Sequence, residues 1–271
     1  ALAKEIVTDY WNWCSLMQVQ SKIDNATIAA TDLTKMTSLT AATDDFATTL
    51  KDKETLYHGQ IGLARSMTSG YPGPYQDYNG YFVDLYNFTW EVYWATPDEE
   101  LRNASSRLMN AIENTVIIER DVNDPGTNGL AAFFPNEKGK YNLFASLYED
   151  IAFAVDTPWD DIVKYHLSTL YLLTIQLPYS SMSVKVENET YTTANDGRLQ
   201  IYFSPGSYAV DVPANFTITP DSRAIFTRWN DSKTSTNRSF SLNGDLTVEA
   251  EYKTQYRLIM EANFGTTNPS V

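Results

Sequence analysis

The chain has one cysteine and two histidines among its 271 residues. A lone Cys14 excludes an internal disulfide and a thiolate zinc site. His58 and His166 stand far apart in sequence and match no metal-ligand spacing, so no metal or other cofactor is expected. Basic residues are also scarce: 20 Lys and Arg against 34 Asp and Glu give a net charge of −14. Such a surface repels phosphate backbones, which excludes nucleic acid as a partner. Long apolar runs are missing as well. The best candidate, HLSTLYLLTIQLPY, is too short and too polar for a membrane span, and ALAKEIVTDY opens an amphipathic helix without the basic region and apolar core of a signal peptide.

What the chain does have is apolar mass and Asn-linked acceptor sites. Hydrophobic residues make up 43% and charged residues 20%, the balance of a globular protein with a sizeable core. Seven Asn-x-Ser/Thr sequons occur, at Asn25, Asn87, Asn103, Asn188, Asn215, Asn230 and Asn237. Their density favours a glycosylated protein that is extracellular or at the cell surface. A thiol nucleophile at Cys14 is conceivable with a distant His, but DYWNWCSLMQ surrounds it with aromatics at helical spacing, which fits a packed core thiol.

Residues 1–177 alternate helices with short strands. Residues 1–19 read as a helix with Ile6, Tyr10, Trp13 and Met17 on one side, and Thr27 to Ala30 as an edge strand. Thr31 or Asp32 caps a helix whose inner stripe is Leu33, Met36, Leu39, Ala42, Phe46 and Leu50. ETLYHGQIGLARSMTSGYPGPYQDYNGY is a long Gly/Pro/Tyr segment with loop chemistry at SGYPGPY; its tyrosines suit an aromatic-packed loop better than a binding surface. FVDLYNFTWEVYWAT predicts a helix with Phe82, Leu85, Phe88 and Val92 on one face. PDEELRNASSRLMNAIENT predicts another, with Pro97 in its first turn and Leu101, Leu108, Ala111 and Ile112 inward. VIIE at 116–119 and GLAAFFP at 129–135 read as strands buried on both faces. Between them, Asp121, Asn123 and Asp124 suggest a calcium loop, but Pro125 takes the place of a further oxygen ligand, so a plain turn is the better reading. YNLFASLYEDIAFAVDT is helical or mixed, and TPWDDIVKYHLSTLYLL is a helix with Thr157 as cap and Pro158 at its first position.

From Pro178 the pattern changes to short alternating runs: SVKV, RLQIYF, SYAVDV, AIFTRW, RSFSL and LTVEAEY, separated by NDG, SPG and NGD turns. Residues 178–253 thus read as a small all-β, sandwich-like module, and 254–271 as the start of a further β repeat or a linker. Ile225, Thr227 and Trp229 are expected on one face, with Trp229 in the core.

LAKEIVTDY at 2–10, ATDLTKMTSLTAATDDFATTL at 30–50, YFVDLYNF at 81–88, GLAAFFP at 129–135 and FAVDTPWDDIVKY at 153–165 resemble, in that order, the C-terminal half of the clostripain family of cysteine peptidases. The resemblance implies a partial caspase-like α/β sheet with covering helices, in which GLAAFFP is a late strand and Trp159 lies in the closing helix as a core residue. No residue matches the family's His motif or its Asp-x-Cys segment, so no catalytic role falls on Cys14, His58 or His166. It implies, as partner, the N-terminal catalytic half of the same precursor. SPGSYAVDV, FTRWNDS and GDLTVEAEYKTQYRL are similar to β repeats at the C-termini of secreted proteins, which act as spacers or adhesive elements.

The expected function is therefore that of a non-catalytic portion of a secreted or cell-surface clostripain-like peptidase, with β repeats as a stalk. The alternative is an inactive, peptidase-derived structural glycoprotein of a surface layer or filament, whose partners would be further copies or surface-layer proteins. A carbohydrate-binding module built on the β region and the Tyr-rich loop is a third reading.

Overall fold

The computed structural model describes residues 2–19, 27–68, 81–121 and 128–258. The chain is mixed α/β with a β-rich C-terminal region. It divides into two compact units, Ala1–Thr169 and Leu170–Val271. Among the described residues, no helix is long and apolar enough to cross a membrane.

The first unit is built on helices α1 (Leu2–Val19), α2 (Met36–Met67), α3 (Leu85–Ala95), α4 (Glu99–Thr115), α5 (Lys138–Tyr148), α6 (Ala152–Asp156) and α7 (Trp159–His166). Its strands β1 (Thr27–Thr31), β2 (Phe82–Asp84), β3 (Val116–Asp121) and β4 (Ala131–Phe133) form two antiparallel ribbons, β1 with β3 and β2 with β4. Capping fixes the helix starts. Asp84 and Asp98 each accept a backbone N–H from the first turn of α3 and α4, which satisfies donors a helix cannot pair internally; Asp32, expected to cap α2, instead caps a single 3-10 turn, Leu33–Lys35, and α2 starts at Met36 without a side-chain cap. The apolar stripe of α2 is buried from Leu39 through Phe46 to Leu50, whereas Leu33 and Met36 are exposed. At the centre, Phe88 meets Phe46, Phe134 and Trp159 edge-on, with ring centroids 6.2, 5.1 and 6.0 Å away. Trp159 is fully buried, and its indole Nε1 donates to the Phe133 carbonyl at 2.9 Å, the partner a buried Trp requires. That bond ties α7 to the end of β4.

Four expectations for this unit change. VIIE and GLAAFFP do not share a sheet: the first pairs with β1 and the second with β2. Ala132 and Phe133, on opposite faces of β4, are both buried as expected, whereas Ile117 of β3 is exposed, so VIIE is not buried on both faces. Phe82 belongs to β2, not to a helix, and is exposed, because α3 starts only after the Asp84 cap. ETLYHGQIGLARSM is helical and completes α2, with a non-helical Tyr57 (φ −119°, ψ 19°) inside it; SGYPGPY lies outside the described residues. Among the described side chains of α1 the buried one is Val7, while Ile6, Tyr10 and Trp13 are exposed together with Leu2 and Leu16; Met17 lies outside them.

The second unit contains β5 (Tyr171–Gln176), β6 (Ser183–Val186), β7 (Glu189–Thr192), β8 (Arg198–Phe203), β9 (Gly206–Asp211), β10 (Asn215–Thr219), β11 (Ser222–Trp229), β12 (Asn237–Leu242) and β13 (Leu246–Tyr256). They make a five-stranded sheet in the order β10-β11-β13-β5-β8 and a four-stranded sheet in the order β12-β9-β6-β7. All pairings are antiparallel except β13 with β5. Strand β6 shows the pattern that drives this: Val184 and Val186 are buried, Ser183 and Lys185 exposed, as period-two geometry requires. The sheets meet through Trp229 of β11, fully buried, whose ring packs edge-on against Phe240 of β12 at 5.3 Å. Gly197 follows Asn195 and Asp196 at φ +78°, and a Cβ there would come within 2.1 Å of the Leu177 carbonyl, so only glycine fits this turn.

The boundary between units falls at 169/170, not 177/178. The helix was expected to run on through LYLL to Leu173, but it stops at His166 and Tyr171–Gln176 is a strand between β13 and β8. At the other end β13 continues through Tyr256, so residues 254–256 complete a strand already begun and do not start a new repeat; residues from 259 on lie outside the described part. The shared face expected for Ile225, Thr227 and Trp229 is interrupted. A bulge between Phe226 and Arg228 shifts the register, so Ala224 and Trp229, five positions apart, are both fully buried.

Candidate functional site

The chemistry-bearing side chains of the first unit gather along the second half of α2. Glu54 and His58 are one turn apart, and their side chains meet on the same face. His166, the last residue of α7, reaches them from 112 residues beyond Glu54. Glu54 Oε1 accepts from Nδ1 of His58 at 2.6 Å and from Nδ1 of His166 at 2.7 Å. The two imidazoles lie 4.6 Å apart. Glu54 is completely buried, and its second oxygen, Oε2, has no hydrogen-bond partner. Burial works to raise the Glu54 pKa, but the hydrogen bonds and charges of His166 and His58 outweigh it and hold the carboxyl below its ordinary range. The three residues present one ligand atom each within 4.8 Å of one another.

The local sequence explains the assembly. Gly62 stands one turn beyond His58 on the same stripe, and the space where its Cβ would be lies 3.5 Å from Cε1 and 3.6 Å from Nε2 of His166. Phe134 closes the other side of the His166 ring edge-on at 5.2 Å. One turn further, Arg65 is buried, donates from Nε to the Phe134 carbonyl and lies 5.9 Å from the Phe134 ring centre; burial pulls its pKa down to about 10. A neighbouring buried charge, Asp84, uses Oδ1 to cap α3 through Asn87 N at 2.8 Å and Oδ2 to accept Asn128 N at 2.6 Å.

A second feature lies on the β2–β4 ribbon. Phe82, Phe133, Phe144, Leu147, Tyr148 and Ile151 line an open groove of about 260 Å³ that is almost entirely apolar. Val83 and Ala132 on the opposite face of the ribbon are buried in the helical core.

His58 and His166, separate in sequence, are thus brought together. The clue was Glu54 preceding His58 by four residues, which becomes informative only once the segment is known to be helical. The Cys14 backbone lies in α1, but its side chain is outside the described part, as are Asn25 and residues 122–127 of the suspected turn. Asn103, Asn188, Asn215, Asn230 and Asn237 are exposed, and Asn87 is half-buried, its Oδ1 accepting from Asn128 at 3.3 Å.

No family model matches the chain, and no curated protein or solved structure matches it either.

Proposed function

We propose that this chain is the non-catalytic C-terminal portion of an extracellular or cell-surface cysteine peptidase of clostripain type, with the β unit as stalk. The supporting observation is the β2–β4 ribbon. Its two strands are three residues long, too short to be stable as an isolated sheet. Helices cover one face, and the other carries an apolar groove with Phe82, Leu147 and Ile151 exposed. A ribbon of this kind suits the margin of a larger caspase-like sheet whose other strands come from a second polypeptide, the catalytic half. That half would supply the thiolate that attacks the peptide carbonyl and the His that acts as its base; none of those groups is assigned to this chain.

Isolation of the chain from its native source without denaturant, followed by native mass spectrometry, tests the reading. A tightly bound polypeptide bearing a His and an Asp-x-Cys is the expected companion, lost when Phe82→Asp and Leu147→Asp are introduced. A homogeneous free chain overturns the proposal. A structural glycoprotein of a surface layer is the second reading, favoured by the exposure of all four sequons in the β unit; the same isolation would then return assemblies of identical copies.

A further inference from the structure

We propose that Glu54, His58 and His166 form a binding site for a divalent transition metal, zinc foremost, that clamps α2 to α7. The first ground is the donor set. Two imidazoles and one carboxylate suit zinc, and three protein ligands leave a place for water or another ligand in a tetrahedral shell. The second is convergence: one ligand atom from each residue falls within 4.8 Å of the others, although His166 joins from 112 positions away. The third is the carboxylate itself. Glu54 is fully buried, yet Oε2 has no partner. A buried acceptor left unpaired is costly, and a buried carboxylate is normally paired with cations or coordinates a metal. A cation among these three side chains would neutralise Glu54 and use lone pairs that are now pointed at shared protons.

Binding would redirect both Nδ1 atoms. In the structure each faces Glu54 Oε1, an arrangement in which Nδ1–H donates to a carboxylate. On coordination each neutral ring carries its proton on Nε2, and its Nδ1 lone pair turns to the ion; no proton leaves the pair of rings. The non-helical backbone at Tyr57 lies between Glu54 and His58, and such mid-helix irregularities concentrate at functional sites.

The site is not part of the peptidase reading, and its test is separate from that one. Full-length protein stripped with EDTA and then loaded with zinc chloride should retain one zinc per chain after gel filtration. Because the chain has only two histidines, their ring-proton resonances can be followed directly. Both should shift on adding zinc and saturate together at one equivalent, and cobalt chloride should give the visible absorption of a tetrahedral centre. His58→Gln, His166→Gln and Glu54→Gln should each weaken zinc retention at least tenfold. Ring resonances of the wild-type protein that ignore zinc would overturn the proposal, whatever the variants do. So would undiminished zinc retention in folded His58→Gln and His166→Gln, which would place the ion on surface carboxylates.

Discussion

The two units bury different things. In the first, Glu54, Arg65 and Asp84 are buried together with many hydroxyls; in the second, the buried polar residues described are Thr174 and Thr193 alone. The exposed large hydrophobics divide the same way: all but Tyr256 and Leu258 belong to the first unit. A sandwich of two sheets can close on its own aliphatic core, and its side chains need only alternate. The helical unit keeps charges inside and apolar surface outside, and both are costs that folding alone does not explain. Buried charge and exposed apolar area thus coincide in the first unit, and the described part of the β unit shows little of either.

The sharpest way to break this comparison is to remove the tryptophan at the centre of each unit. Trp159 and Trp229 are both fully buried, and each indole N–H donates to a backbone carbonyl, of Phe133 and Ser235 respectively. Replacement by alanine should cost about 3–5 kcal/mol in either case. If the units are independent, Trp159→Ala lowers one thermal transition and leaves the other in place, and Trp229→Ala does the reverse. A single transition that moves in both variants would mean that the chain unfolds as one cooperative body.

Next in size is a buried charge of the first unit. Asp84→Ala deletes the α3 cap and leaves the backbone N–H of Asn128 without its acceptor. The sum should be about 2–4 kcal/mol. Asp84→Asn keeps one acceptor oxygen and should recover part of that. Chemical denaturation followed by a probe confined to the first unit measures both. A loss no larger than that of an exposed Asp52→Ala control would show that burial of Asp84 contributes nothing.

How far these differences were legible in sequence depends on the kind of signal. The β runs SVKV, RLQIYF and LTVEAEY alternate over most of their length, the latter two follow the NDG and NGD turns directly, and each became a strand. LYLL was misread because an apolar run without alternation follows a helix directly; what makes Tyr171–Gln176 a strand is pairing with β13 and β8, partners 22 to 73 residues away in the chain. The bulge after Phe226 inverts the face of Trp229 and has no local residue signature. The Glu54–His58–His166 cluster was missed for two reasons. The segment holding Glu54 and His58 reads as a Gly/Pro/Tyr loop when averaged with SGYPGPY, which hides the i, i+4 relation. His166 joins only because α7 packs on α2, a tertiary fact that spacing does not encode.

The comparison also predicts where glycans go. Asn188, Asn230 and Asn237 lie at turns or strand ends of the β unit and are exposed, as is Asn215. In the first unit Asn87 sits in the first turn of α3, half-buried, and its companion Thr89 is fully buried with its hydroxyl donating to the Leu85 carbonyl. An acceptor must be reachable as an extended segment, so modification should favour the β unit and spare Asn87. Peptide mapping of native material checks this, and a glycan on Asn87 with bare Asn188, Asn230 and Asn237 would reverse the assignment. The effect on stability should be within about 0.5 kcal/mol per site, as for other surface changes.

The smallest effect is confined to alkaline pH, where tyrosines in both units report on burial. Tyr141 of the first unit is buried; burial first, then its hydrogen bond to Glu149 at 2.9 Å, pushes its phenol up to about 12. Nearby Lys164 opposes this shift, and the charges of Glu149 and Asp160 add to it. In the second unit Tyr252 donates to the Pro213 carbonyl at 2.7 Å, and burial, then the charge of Asp211, raises it in the same direction. For a group whose folded pKa is raised, the stabilising contribution is fully present below the unfolded value, ordinarily about 10, and disappears as pH rises through the folded one. Neither tyrosine should influence stability near neutrality. Between pH 10 and about 12 the first unit should lose the Tyr141 contribution, and the Tyr141→Phe variant should lack that part of the decline. Phenolate absorbance should show a class of tyrosines ionising well above the exposed ones, reduced by one residue in Tyr141→Phe. A Tyr141 that titrates with the exposed class would mean that the α5 face opens to water, and the contrast between a charged, partly open first unit and a closed second one would then be even steeper.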